Sequence, residues 1–199
     1  YDDFSASSLS LEWNFRRVPM ENIYSLDTEK GHLRLMLRPE VIGKRQRCSL
    51  MGFRQKESDF EYVANMDFQP QSELEEAGVS LFQKDDNYLR FTIIREEQGI
   101  FLQLVVKEKE EKIKTLHKEI LKGYRGNIQF KVVSKNEQYQ YWFSVDRGNT
   151  FAKFAQTSAS LLLSNGYTGA YLGIYASSNG QSAGQYADFD WVYYQGYPN

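Results

Sequence analysis

Phe60-Glu61-Tyr62-Val63-Ala64-Asn65-Met66-Asp67-Phe68 sets Phe60, Tyr62, Ala64, Met66 and Phe68 on one parity and Glu61, Val63, Asn65 and Asp67 on the other. Successive side chains of a strand point to opposite faces, so this reads as a strand with one side on a core. The same period recurs outward in both directions. Leu33, Leu35 and Leu37 alternate with Arg34, Met36 and Arg38, and Leu89, Phe91 and Ile93 form another face. Ile100, Leu102, Leu104 and Val106 follow, then Ile128, Phe130 and Val132, then Tyr139, Tyr141, Phe143 and Val145. Near the end, Ala170, Leu172, Ile174 and Ala176 precede Phe189, Trp191 and Tyr193; Tyr186, Val192 and Tyr194 occupy the opposite parity, which predicts a strand covered on both sides.

Turn residues punctuate the runs: Asp85-Asp86-Asn87, Gln98-Gly99, Lys135-Asn136-Glu137, Asp146-Arg147-Gly148-Asn149 and Ser177-Ser178-Asn179-Gly180. Such short spacings suit hairpins, because parallel crossovers need a dozen or more residues. The Glu- and Lys-rich stretch Lys107 to Lys122 is expected to be an exposed hairpin whose mixed charges discourage edge-to-edge pairing. Strands with one apolar face must stack on another layer. The expectation is an all-β, two-sheet antiparallel β-sandwich, one domain over residues 1–199, with ten to twelve strands in sheets of five or six.

The net charge of −2 argues against nucleic acid as a partner, since phosphates call for a basic face. No apolar run is long enough for a membrane-spanning helix. Cys48 is the only cysteine, so no internal disulfide exists. The chain opens at Tyr1 without Met, as a processed protein or an excised piece would, and localisation stays open between extracellular, periplasmic and cytoplasmic.

Enzyme constellations are sparse. His32 and His117 lack a second His or Cys at metal-pair spacing, and no nucleophile elbow, P-loop or dinucleotide fingerprint occurs. Asp188 and Asp190, two apart on one strand, would place hard oxygen ligands together; with Asp2 or Asp3 from a neighbouring first strand they form a candidate structural calcium site (Asp3, Asp188, Asp190). The alternative is that these carboxylates cap turns or pair with Arg. No cofactor is otherwise required. Aromatic rings serve as sugar-stacking platforms, and Trp142, Tyr88, Arg54, Gln55 and Arg90 are the candidate carbohydrate-binding set. For each aromatic, core burial is the competing reading.

Several segments together carry a family resemblance. They are Asp2-Asp3-Phe4, Leu11-Glu12-Trp13-Asn14-Phe15-Arg16 with Pro19, His32-Leu33-Arg34-Leu35 and Phe53-Arg54-Gln55. Ala77 to Gln83, Gly166 to Gly173 and Ala187-Asp188-Phe189-Asp190-Trp191 complete the series. In this order they resemble the C-terminal concanavalin-A-like sandwich of glycoside hydrolase family 43 β-xylosidases and arabinofuranosidases. The resemblance implies a jelly-roll accessory domain behind a five-bladed catalytic β-propeller, whose Asp, Asp and Glu do the hydrolysis. This chain alone would then be no enzyme; its partners would be the propeller and a xylan-type oligosaccharide. The resemblance also implies that the loop Gly166 to Tyr171, with Tyr167 and Tyr171, is the candidate interdomain contact. The Lys107–Lys122 hairpin and the loop from Ser177 depart from the family pattern. The rival expectation is a stand-alone concanavalin-A-like glycanase, which would carry paired acids along one concave strand.

Overall fold

The computed structural model describes residues 1–4, 14–15, 24–26, 31–37, 49–84, 87–108, 112–159, 170–180 and 185–197. In chain order the strands are β1 (Asn14–Phe15), β2 (Tyr24–Ser25), β3 (Leu33–Met36), β4 (Ser49–Arg54), β5 (Asp59–Asp67), β6 (Glu76–Lys84) and β7 (Asn87–Glu96). Then come β8 (Gly99–Lys107), β9 (Lys114–Ile120), β10 (Asn127–Lys135), β11 (Gln138–Ser144), β12 (Ala152–Ser158), β13 (Tyr171–Ser177) and β14 (Tyr186–Tyr197). They form two seven-stranded sheets, β1-β4-β13-β6-β7-β8-β9 and β12-β11-β10-β5-β14-β3-β2. The sequence suggests five or six strands per sheet; the extra members include β1 and β2, two residues each, too short for alternation to reveal.

Alternation assigns the inner faces well. Phe60, Tyr62, Ala64, Met66 and Phe68 are buried, as are Leu89, Phe91, Ile93, Leu102, Leu104, Val106, Ile128, Phe130 and Val132. Edge-to-face pairs lock this core across the sheets: Phe91 meets Phe130 at 5.2 Å and Tyr141 at 5.5 Å, both at 77°. Each such pair adds about 0.5–1.5 kcal/mol beyond area burial. The Tyr62 hydroxyl, wholly buried, donates to the Gly173 carbonyl at 3.0 Å and so ties the second sheet to the first.

The local turn chemistry follows the sequence. Asn136 and Glu137 both take positive φ between β10 and β11, a two-residue hairpin turn whose twist matches the strands it joins. In the charged stretch, β8 pairs antiparallel with an exposed β9 at the sheet edge, as expected of a hairpin; residues 109–111 between them lie outside the described residues. Asp85 and Asp86 lie outside the described residues.

One parity reading fails. β14 pairs Phe189 with Met66 but Trp191 with Asn65, so Asp190 is an extra residue, a β-bulge. Beyond it the inward parity switches to Val192, buried, and Tyr194, packed on the core. Trp191 and Tyr193 therefore turn outward with the polar face, instead of continuing the face of Phe189.

Candidate functional site

The candidate sugar-binding residues are divided between opposite sides of the sandwich. On the first sheet's outer face, register aligns Arg54, Tyr171, Phe82, Tyr88 and Lys107 in one row. The next row is Gly52, Gly173, Ser80, Arg90 and Val105. Trp142 sits on the second sheet's outer face, in a row with Lys153, Lys131, Val63 and Tyr193. Stacked sheets lie about 10 Å apart, so no single sugar ring touches both sets. Period-two alternation tells inside from outside but does not say which sheet a strand joins, which is why the sequence grouped them.

The first sheet's outer face is filled. Phe82 lies over Gly52 and Gly173, where a side-chain carbon at either position would come within 3.1–3.2 Å of its ring. Tyr171 stacks on Phe82 at 5.4 Å and 16°, and Arg54 donates to the Tyr171 hydroxyl at 3.1 Å. Tyr88 is 1% exposed, which corrects its assignment as a platform: its ring offers no free surface. Gln55 is buried and donates to the Glu57 carbonyl at 2.8 Å. Tyr167 and Trp13 lie outside the described residues.

Arg90 is committed elsewhere. Its Nη1 donates to Glu76 Oε1 at 2.7 Å, and Glu76 also accepts from Thr92 Oγ1 at 2.6 Å, Gln103 Nε2 at 3.0 Å and Asn179 Nδ2 at 3.1 Å. Burial alone would lower the Arg90 pKa, but the Glu76 carboxylate holds it above its ordinary value. A carboxylate with four donors, fully buried, is satisfied structure. Sequence reasoning missed Glu76, because nothing in its spacing marks a charge whose partners come from β7, β8 and the turn after β13.

The second sheet's outer face is more open. Trp142 is half-buried, its indole N–H on Gln140 Oε1 at 3.3 Å. Trp191 and Tyr193 are also half-buried, and Lys131 pairs with Glu61 at 3.2 Å. At one end of this face the acidic candidates appear in a different grouping from the expected one. Asp2 bridges to Val192, so the first residues do lie beside the last strand, but Asp3 is exposed. Asp188 is held by Arg34 through two hydrogen bonds of 2.9 and 3.0 Å, the Arg-pairing alternative. Asp190, thrown out by the bulge, pairs instead with His32, which also lies 3.7 Å from Asp67. Burial, then the neighbouring Asp67, raise the Asp190 pKa, with His32 and Arg147 acting against them.

Two antiparallel seven-stranded layers over one shared core define the class: a concanavalin-A-like β-sandwich. The chain belongs to the family described as the beta-xylosidase C-terminal concanavalin A-like domain, whose model matches residues 1–195. Among its relatives, a non-reducing end alpha-L-arabinofuranosidase of Bacteroides ovatus is 30% identical over 192 residues, covering 96% of this chain and 36% of that protein. A xylosidase/arabinosidase of Butyrivibrio fibrisolvens is 28% identical over 175 residues, 86% of this chain and 33% of that one. Among solved structures, a family 43 protein of Bacillus licheniformis aligns with a TM-score of 0.88 at 28% identity, over 98% of this chain and 39% of that chain. This chain thus spans a third to two fifths of the length of these relatives.

Proposed function

We propose that this chain is a non-catalytic accessory domain of a family 43 glycoside hydrolase of the β-xylosidase or α-L-arabinofuranosidase type, packed against that enzyme's catalytic β-propeller. The observation that carries the reading is the match of nearly the whole chain to this family, while its alignment with the Bacteroides relative covers only 36% of that protein. The alternative of a stand-alone glycanase needs two carboxyl groups placed across one glycosidic bond, one of them free to hold or give a proton. Glu76, clamped by four donors, is not free for that role. Reading the coding sequence upstream tests it directly. A propeller in the same open reading frame is expected; a stop codon followed by an independent start would overturn it.

A second reading, carbohydrate binding, is favoured by the half-buried Trp142, Trp191 and Tyr193 on the second sheet's outer face, beside Glu61 and Gln140. Rings with polar neighbours are what sugar recognition uses. Calorimetric titration with xylo-oligosaccharides should give weak heat that Trp142→Ala removes; no heat in the parent chain would end this reading.

A further inference from the structure

His32, Asp67 and Asp190 come from three places in the sequence that the strand order β5-β14-β3 brings together. His32 directly precedes β3, Asp67 ends β5, and Asp190 is the bulged residue of β14. One donor atom of each lies within 4.8 Å of the others. Ligands about 2.1 Å from zinc in a tetrahedron sit roughly 3.4 Å apart; His32 and Asp67 are near that spacing at 3.7 Å, whereas the direct contact of His32 with Asp190 would have to open to admit the ion. We propose that these three side chains bind a first-row transition dication of the Zn2+ kind, independently of any sugar.

Three further observations support a ligand here. The Asn127 side chain, 7% exposed, donates through Nδ2 to Asp67 Oδ1 at 2.8 Å and to Asn65 Oδ1 at 3.3 Å, while its Oδ1 is buried with no hydrogen-bond partner. Asn65 Nδ2 holds Asp190 Oδ2 at 2.8 Å, leaving Asp190 Oδ1, buried, toward His32. Metal-binding carboxylates are oriented by outer hydrogen bonds of this type. Asp67 and Asp190 also bring a carboxylate oxygen each within 4.8 Å of the other, and a dication between them would offset two like charges. The neighbouring Asp188 is neutralised by Arg34 and takes no part.

The donor set decides the class of ion. Imidazole nitrogen suits zinc, iron, nickel and copper, whereas calcium takes six to eight oxygens. Three protein ligands leave room for water, and Asp67 also lines a cleft with Gln69, Gln71, Gly126 and Gln185.

The test is calorimetric titration of the chelator-stripped chain with ZnCl2, with CaCl2 as a parallel arm and thermal melting as a second readout. Saturable one-to-one zinc binding with a raised melting temperature is expected, with calcium giving neither. Asp190→Asn and His32→Gln should weaken zinc at least about tenfold. His117→Ala, which removes the exposed pair of His117 with Glu119, should leave it unchanged. Circular dichroism checks the fold, and His32→Ala serves if His32→Gln fails to fold. Absence of saturable zinc binding would overturn the proposal. So would binding that survives loss of His32 or disappears with His117, or calcium binding as tight as zinc.

Discussion

The two outer faces of the sandwich treat charge in opposite ways. On the first sheet Glu76 is fully buried and every approach to its carboxylate is taken by Arg90, Thr92, Gln103 or Asn179. On the second sheet His32, Asp67 and Asp190 stay partly exposed and the two carboxylates lie side by side. A buried carboxylate whose donors are complete, as those of Glu76 are, has nothing left to offer a ligand. A half-open group with competing carboxylates keeps that capacity. Residue type alone would have ranked Arg90 and Tyr88 as ligand contacts and passed over His32; the burial of Tyr88 and the pairing of Arg90 with Glu76 argue the other way.

This contrast can be broken first at Glu76. Glu76→Ala leaves the Arg90 guanidinium in a buried site without its counter-charge, and removing one partner of a buried pair costs about 3–5 kcal/mol. Urea denaturation should register that loss, and a change under about 1 kcal/mol would mean that the first face is not held together as described. Tyr62→Phe removes the hydroxyl that spans the layers to Gly173, with a smaller cost of about 1 kcal/mol by the same assay. Trp142→Ala on the open face should change stability by about 1 kcal/mol or less, since substitutions away from buried networks usually do little. A loss as large as that at Glu76 would erase the distinction between the faces.

The smallest effect sharpens the picture at the turn after β11. Asp146 accepts from the Ser144 hydroxyl at 2.6 Å and from the Thr150 backbone and hydroxyl at 2.9 and 2.5 Å. These bonds, that to Ser144 first, lower its pKa from 3.8 to about 2. A carboxyl with a depressed folded-state value contributes stability that is fully present above the unfolded value. That contribution fades as pH falls from about 3.8 to about 2. An NMR titration of Asp146 should find a midpoint near 2, with amide exchange around Ser144 to Thr150 rising below it; a midpoint near 4 would refute the hydrogen-bonded turn.

The inner faces were legible because alternation and burial share one cause, the pleat of the strand. The inner parity of Phe60 to Phe68 is buried throughout, although Val63 and Asn65 on the other parity are buried as well. The Lys107–Lys122 hairpin was legible too, from charge at a sheet edge. The bulge at Asp190 was not, since an extra residue leaves no mark in composition, and it misplaced Trp191 and Tyr193 by one parity. Nor could the sequence say that Trp142 and Arg54 belong to different sheets, because strand partnership is set by long-range pairing. For the same reason Asp188 and Asp190 looked like a pair, although one answers to Arg34 and the other to His32 and Asp67.

The most direct measurement is hydrolysis by the purified chain of 4-nitrophenyl β-D-xyloside, 4-nitrophenyl α-L-arabinofuranoside and xylan. With the Glu76 carboxylate clamped, no turnover above the buffer blank is expected. Sustained turnover that disappears in a folded Glu76→Gln variant would contradict the account at its centre.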